Sequence, residues 1–247
     1  MIGFFKESRR TAVFGSVLGA VVCAAAAWFL YSGEMSTRII LMVVAAALAV
    51  NVAVYAAKLI AMRRYQEILL LLYEKMEPQA FLDAALPILD AKAGTADRVT
   101  HAAHVANGYL ALGKAGEAAD LLERQQVPDQ ARALKGLVYS NLGTAYLLME
   151  DRQKAAGALE GLRSVAADPK CKEKFRQKAR HIIACQQLCL DVLDGKNSPK
   201  QALEKDFETS RSPLHKANAA VFLRKIYGRT GEWEKAEKLK TEIPGDA

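Results

Sequence analysis

Two long apolar stretches open the chain and predict helices that cross a membrane. Thr11 to Gly33 is 23 residues without a charge. As a helix it would reach roughly 34 Å, enough for a hydrocarbon core of about 30 Å. Trp28, Phe29 and Tyr31 stand near its end, where amphipathic rings favour the headgroup layer. Ile39 to Ala57 is a second uncharged run of 19 residues, roughly 28 Å long, with Lys58 placed to snorkel. Only Ser32–Arg38 joins the two, so a tight helical hairpin is expected. No Gly or Pro occurs from Asn51 to Glu77, so the second helix should run from about Ile39 to Glu77. Its Ile68–Tyr73 segment is apolar on every side and is expected to be buried under other helices or in an oligomer. After Pro78 the chain is Ala-rich, sparse in Val, Ile and Thr, and free of alternating runs. The whole chain therefore reads as all-α.

Small residues recur every fourth position in both apolar runs, at Gly15, Gly19, Cys23 and Ala27 and at Ala45, Ala49, Ala53 and Ala57. Such stripes let helices approach closely in lipid. Packing of the two spans on each other within one chain is the first reading, and dimerisation of hairpins the sharper one. Asn51, the one strongly polar side chain inside a span, is expected to bond across the hairpin. Two spans without a buried acid or base make a poor pore.

Charge orients this hairpin. Lys6, Arg9 and Arg10 precede the first span and Lys58, Arg63 and Arg64 follow the second, against Arg38 alone in the loop. The positive-inside rule then puts both termini in the cytoplasm. The expected organisation is a cytoplasmic segment 1–10, a hairpin at 11–62 and a cytoplasmic helical domain at 63–247. The rival is a leader cleaved near Cys23–Ala27, although the apolar run continues through Trp28-Phe29-Leu30. Residues 1–57 hold four basic and two acidic side chains. That leaves 30 of the 34 basic and 25 of the 27 acidic residues to the rest, a net of +5. This balance excludes a disordered chain and a disulfide mini-protein, and it does not favour nucleic acid.

The helical region repeats itself. Tyr109, Tyr146 and Tyr227 each stand nine residues before an alanine (Ala118, Ala155 and Ala236), with a short polar turn between. The segment Gly136–Pro169 carries Tyr139, Leu142-Gly143, Tyr146, Ala155, Leu159 and a closing Pro169, and the last copy has Leu223, Tyr227, Gly231, Trp233 and Ala236. These residues resemble the tetratricopeptide repeat, a 34-residue helix-turn-helix unit. Packing anchors at Ala84, Ala118, Ala155, Ala202 and Ala236 are spaced 34, 37, 47 and 34 residues apart, and the long interval implies an extended helix around Cys171–Asp194. The resemblance covers roughly residues 65–247. It implies a right-handed α-solenoid of about five helix-turn-helix repeats whose first helices line a groove for a protein or peptide. Asn107, Thr144, Gln187, Asp191, Asn218, Lys225 and Arg229 would then face that groove. The family's carboxylate clamp is not complete in this chain. Lys235, Glu237, Lys238, Lys240 and Glu242 suit a polar cap on the open end of a stack.

Little in the sequence points to catalysis. His181, Cys185 and Cys189 lie at i, i+4 and i+8 among Ile182, Ile183, Leu188, Leu190 and Leu193. Buried packing is the first reading of that stripe and a metal or redox sensor the second. Four cysteines without a CxxC suit a reduced compartment. His101 and His104 have no HExxH companion and read as surface or groove histidines. Lys170, Lys172, Lys174, Arg176, Lys178 and Arg180 wrap their helix, as a solvated segment or as a contact for anionic lipid. No phosphate loop, GxSxG elbow or carboxylate pair is present. The chain is therefore expected to be a non-enzymatic, membrane-tethered scaffold without catalytic residue, metal or cofactor. Its alternative is a self-associating structural membrane protein, with a homo-oligomer as its state.

Overall fold

The computed structural model describes residues 6–31, 33–91 and 93–242. Residues 1–5 of the expected N-terminal segment, Ser32 of the expected loop, and the side chains of Lys6, Arg9 and Glu242 lie outside the described set. Among the described residues eleven α-helices follow one another: α1 (Lys6–Leu30), α2 (Met35–Tyr73), α3 (Pro78–Ala85), α4 (Thr95–Ala111), α5 (Ala115–Glu123), α6 (Arg132–Leu148), α7 (Arg152–Ala167), α8 (Glu173–Leu193), α9 (Lys200–Thr209), α10 (Pro213–Thr230) and α11 (Trp233–Lys238). No strand occurs among the described residues. The chain divides into two compact units, Met1–Ile68 with Asp90–Gly94, and Leu69–Leu89 with Thr95–Ala247.

The first unit contains the apolar hairpin. Arg10–Phe29 and Met35–Tyr73 are each long and apolar enough to cross a membrane. Phe14 (71% exposed) and Val52 (68%) point outward, a disposition that water penalises and lipid accepts. Between the helices the small-residue stripes meet: a methyl added at Gly15 would come within 3.2 Å of Ala53 Cβ, and one at Gly19 within 3.2 Å of Ala49 Cβ. Pairing 15 with 53 and 19 with 49 is antiparallel register, and glycine at these two positions is what allows the approach. At the loop end the Arg38 guanidinium lies 5.6 Å from the Trp28 ring centroid. Asn51 departs from expectation. Its amide donates to Ala47 O of its own helix at 2.8 Å, on an exposed face, so it does not bridge the hairpin. The second helix has the expected 39 residues, but starts and ends four residues early.

In the second unit α4 packs on α5, α6 on α7, α9 on α10, and α10 on α11. The alternate helices also touch in sequence, α4 to α6, α6 to α8 and α8 to α10. Four of these helices end in the same turn. Lys114 N–H donates to Tyr109 O, Asp151 to Tyr146 O, Lys196 to Asp191 O and Glu232 to Tyr227 O, all at 2.9–3.0 Å. The residue before each donor is left-handed: Gly113 (φ 72°), Glu150 (60°), Gly195 (84°) and Gly231 (78°). This is the Schellman stop, in which a left-handed residue lets the orphan carbonyls of the last turn be satisfied. Three of the four are glycine, which adopts that conformation without strain.

A continuous apolar core runs through the paired helices, including Val99, Leu122, Leu142, Leu203, Leu223 and Ile226. Of the expected packing residues, Ala118, Ala155 and Ala236 are buried, as are Gly143, Tyr146 and Tyr227, and Tyr109 packs partly buried against the core. Two anchors are displaced by one residue. Ala84 is only half-buried and its neighbour Ala85 is fully so; Ala202 is exposed and Leu203 takes the interior position. One residue on a helix is 100°, enough to exchange an interior position for an outer one. The extended helix expected around Cys171–Asp194 is α8, 21 residues long. The Ile68–Tyr73 segment is less enclosed than its composition suggests: Leu72 is buried, but Leu70 is 39% exposed. Trp233 is 68% exposed at the start of α11.

Candidate functional site

A cavity of roughly 660 Å³ opens in the second unit, lined by residues of α4, α6, α8, α9 and α10 together with Tyr73. Most of the residues that line it have polar side chains, although the exposed wall is largely apolar. Asn107 on α4 donates to the Tyr73 hydroxyl at 2.9 Å, and that hydroxyl lies 2.8 Å from His104 Nδ1. Burial and the neighbouring His101 push the His104 imidazole down to about 4. His101 itself is core, not surface: it is 1% exposed, its Nε2 lies 2.9 Å from Ala85 O, and burial lowers its pKa.

Gln186 is the deepest polar group of the wall, at 5% exposure. Its amide donates to Ser140 O (2.7 Å) and Thr144 Oγ1 (3.2 Å), joining α8 to α6. Gly143 makes room for it: a Cβ there would lie 2.6 Å from Gln186 Oε1. Two buried side-chain atoms on this lining, Asn141 Nδ2 and Gln186 Oε1, have no hydrogen-bond partner. Such atoms are costly and uncommon in folded proteins.

The groove residues expected from sequence divide into two groups. Asn107, Thr144 and Asn218 line the cavity. Gln187, Asp191, Lys225 and Arg229 serve contacts within the chain. Gln187 accepts from Arg163 (2.7 Å) and donates to Asp191 (3.2 Å), which also takes Lys196 (2.9 Å). Lys225 pairs with Glu150. Arg229 donates to Val192 O (2.7 Å) and Lys196 O (3.1 Å), capping the end of α8. On α8 it is Gln186, one residue before Gln187, that lines the cavity.

The cavity lining also holds a cluster that the linear spacing did not reveal. His181 and Cys185 on α8, Asp206 on α9 and His215 on α10 bring one potential ligand atom each within 4.8 Å of one another. Cys185 Sγ lies 3.8 Å from His181 Nε2 and 4.0 Å from Asp206 Oδ2, and His215 Nε2 lies 2.6 Å from the same carboxylate oxygen. The His181 and His215 rings stack at 6.4 Å. Local structure fixes His215, because Ser212 caps α10 by accepting from the His215 N–H at 3.3 Å and Pro213 opens the first turn. Burial, followed by the Asp206 charge, raises the Cys185 thiol to about 11. Cys189, expected as the third member of the stripe, is not in the cluster, and burial pushes its thiol up further still. The stripe expected on one helix is thus replaced by a quartet of ligand-type groups drawn from three helices.

The basic run lies at the start of α8. Lys170, Lys172, Lys174, Lys178 and Arg180 are exposed. Arg176 lies 3.0 Å from Glu173, and Arg180 lies 3.9 Å from it. Compared with family models, curated proteins and solved structures, the chain matches none of them.

Proposed function

We propose that this protein is a membrane-tethered adaptor whose helical domain, a solenoid of tetratricopeptide-like units, holds a protein or peptide segment in its cavity. The carrying observation is the lining: polar side chains of α4, α6, α8 and α10, among them Asn107, Thr144 and Asn218, face one cavity, where they can meet the backbone and side chains of a bound segment. Repetition of the helix stop at Gly113, Glu150, Gly195 and Gly231 supports the repeat reading, since each unit ends its first helix alike. In this reading α1 and α2 cross the bilayer with both termini cytoplasmic, and tethering raises the effective concentration of the groove toward other membrane proteins. The basic run Lys170–Arg180 adds an anionic-lipid contact. No step of this function is enzymatic.

The test is site-specific photocrosslinking in native membranes. Crosslinkers at Asn107, Thr144 and Asn218 should capture the same partner, and one at the exposed Gly157 of α7 should not. Absence of any groove-dependent product would end this reading. A second reading, self-association through the hairpin, is favoured by one observation: Asn51 is exposed on α2 and could bond to a second copy. If so, Asn51→Leu should turn an oligomer into a monomer on detergent sizing.

A further inference from the structure

We propose that His181, Cys185, Asp206 and His215 form a divalent transition-metal site of zinc type that clamps α8 to the α9–α10 pair. The donor set is two imidazole nitrogens, one thiol sulfur and one carboxylate oxygen. Calcium and magnesium want oxygen shells, whereas this mixture suits zinc, which takes Cys, His and Asp together at tetrahedral sites. Bond lengths of about 2.0–2.3 Å put the corners of such a tetrahedron roughly 3.3–3.8 Å apart. The sulfur–nitrogen distance is already 3.8 Å and the sulfur–oxygen distance 4.0 Å. The His215–Asp206 pair at 2.6 Å must open by under about 1 Å, replacing a hydrogen bond by two bonds to the ion. No two of the four atoms are more than 4.8 Å apart, so none has to close by more than about 1.5 Å, within reach of side-chain rotation.

Position supports the same reading. The cluster stands where the repeat spacing lengthens and α9 makes only a thin contact with α8, while packing firmly on α10. Asp206 comes from α9 and His215 from α10, so one ion would tie both to α8. His181 is exposed and the cluster opens on the cavity, which provides an entry path. Four protein ligands complete a tetrahedron, which marks a structural clamp and leaves no open position for chemistry. On binding, the Cys185 thiol releases its proton to water and coordinates as thiolate.

The test uses the full-length chain in detergent, reduced and stripped with a chelator, and titrated with Co²⁺ alone. One equivalent should bind with tetrahedral visible bands and a thiolate-to-cobalt charge-transfer band, and Zn²⁺ should displace it. Cys185→Ser should remove the charge-transfer band. Asp206→Asn and His215→Ala should each weaken binding at least about tenfold, comparable to the loss on removing even an outer-shell partner. Cys189→Ser should bind as the parent does. Helical circular dichroism on each variant separates lost ligation from lost fold. No stoichiometric Co²⁺ binding by the parent would overturn the site. So would binding that survives Asp206→Asn and His215→Ala but is lost in Cys189→Ser. This inference does not rest on the adaptor reading: crosslinks from Asn107 and Thr144 report the groove whether or not metal binds.

Discussion

The Tyr146 hydroxyl donates to the Glu123 carboxylate, 23 residues earlier, and the Tyr227 hydroxyl makes the same bond to Glu204, also 23 residues earlier, at 2.7 Å. In both cases a lysine eight residues on, Lys154 or Lys235, sits 5.3–5.4 Å from the ring centroid. The two helix pairs thus share this polar detail as well as the Tyr-to-Ala spacing. Each tyrosine fills the gap between two helices and ties its hydroxyl to the helix before it. Burial, then the adjacent carboxylate, raises both phenols above their ordinary value.

Removing either hydroxyl should therefore destabilise the domain without opening a cavity. Tyr146→Phe and Tyr227→Phe should each cost about 1–3 kcal/mol, because a charge-assisted bond is lost and a carboxylate is left with fewer partners. Chemical denaturation followed by circular dichroism in detergent measures this. Unchanged midpoints in both variants would show that the repeated bond contributes nothing.

Glycine positions should split in sign. A methyl at Gly108 would fall 2.7 Å from Phe81 Cδ1 and 2.9 Å from Leu82 Cδ2, and Phe81 is fully buried. Gly108→Ala should cost about 1–3 kcal/mol through overpacking, even though Ala favours helix by about 1 kcal/mol. Gly157 lies inside α7 with nothing within 4 Å of an added Cβ. Gly157→Ala should instead stabilise by up to about 1 kcal/mol. Thermal melts of the two variants side by side decide it, and equal signs would refute the packing described for α3 against α4.

Much of this architecture was legible in order along the chain. The apolar runs, the Tyr-to-Ala spacing and the left-handed stops at Gly113 and Gly231 all lie within a few residues of the structure they cause. What the sequence did not reveal has two physical origins. Phase errors of one residue, at Ala84 and Ala202, arise because a helix turns 100° per residue and an apolar face is wider than that. The four-residue cluster on the cavity lining is different. His181 and Cys185 are helical neighbours, but Asp206 comes to Cys185 across 21 residues and His215 to Asp206 across nine, through two chain reversals. No period marks such a meeting. Cys189 instead looked like the natural third member, because i+8 is visible in one dimension.

Acid should weaken the domain in a defined window. His104 and His101 are held neutral in the fold, with His104 at about 4, while the unfolded chain takes up protons near 6.5. Below about 6.5 the unfolded state therefore binds more protons, so stability is full above that value and falls as pH drops toward 4. For His104 the loss should reach roughly 2–3 kcal/mol by the bottom of the window. Urea midpoints from pH 7.5 to 4.5 should slope downward in the parent and less so in His104→Asn. An identical slope in the variant would remove His104 as the cause.

The apolar hairpin can be checked by its register. Gly19 and Ala49 approach closely enough that cysteines there would have Cβ atoms near disulfide distance, since a Cβ built at Gly19 lies 3.2 Å from Ala49 Cβ. In a background with Cys23 replaced by serine, Gly19→Cys with Ala49→Cys should oxidise within one chain and migrate as a compact monomer under denaturing electrophoresis. Val52→Cys, on the outward face, cannot close within its own chain and should yield dimers only if hairpins associate. A Gly19–Ala49 pair that crosslinks only between chains would mean that the small-residue stripes join copies and do not close the hairpin. The exposed Asn51 gives the dimer arm its own control. It stands one residue before Val52 and bonds only to its own helix, at Ala47 O. If it holds two hairpins together, Asn51→Leu should abolish the Val52→Cys dimer while leaving the Gly19–Ala49 bridge intact. Loss of both bridges together would place Asn51 inside the hairpin, contrary to its outward position.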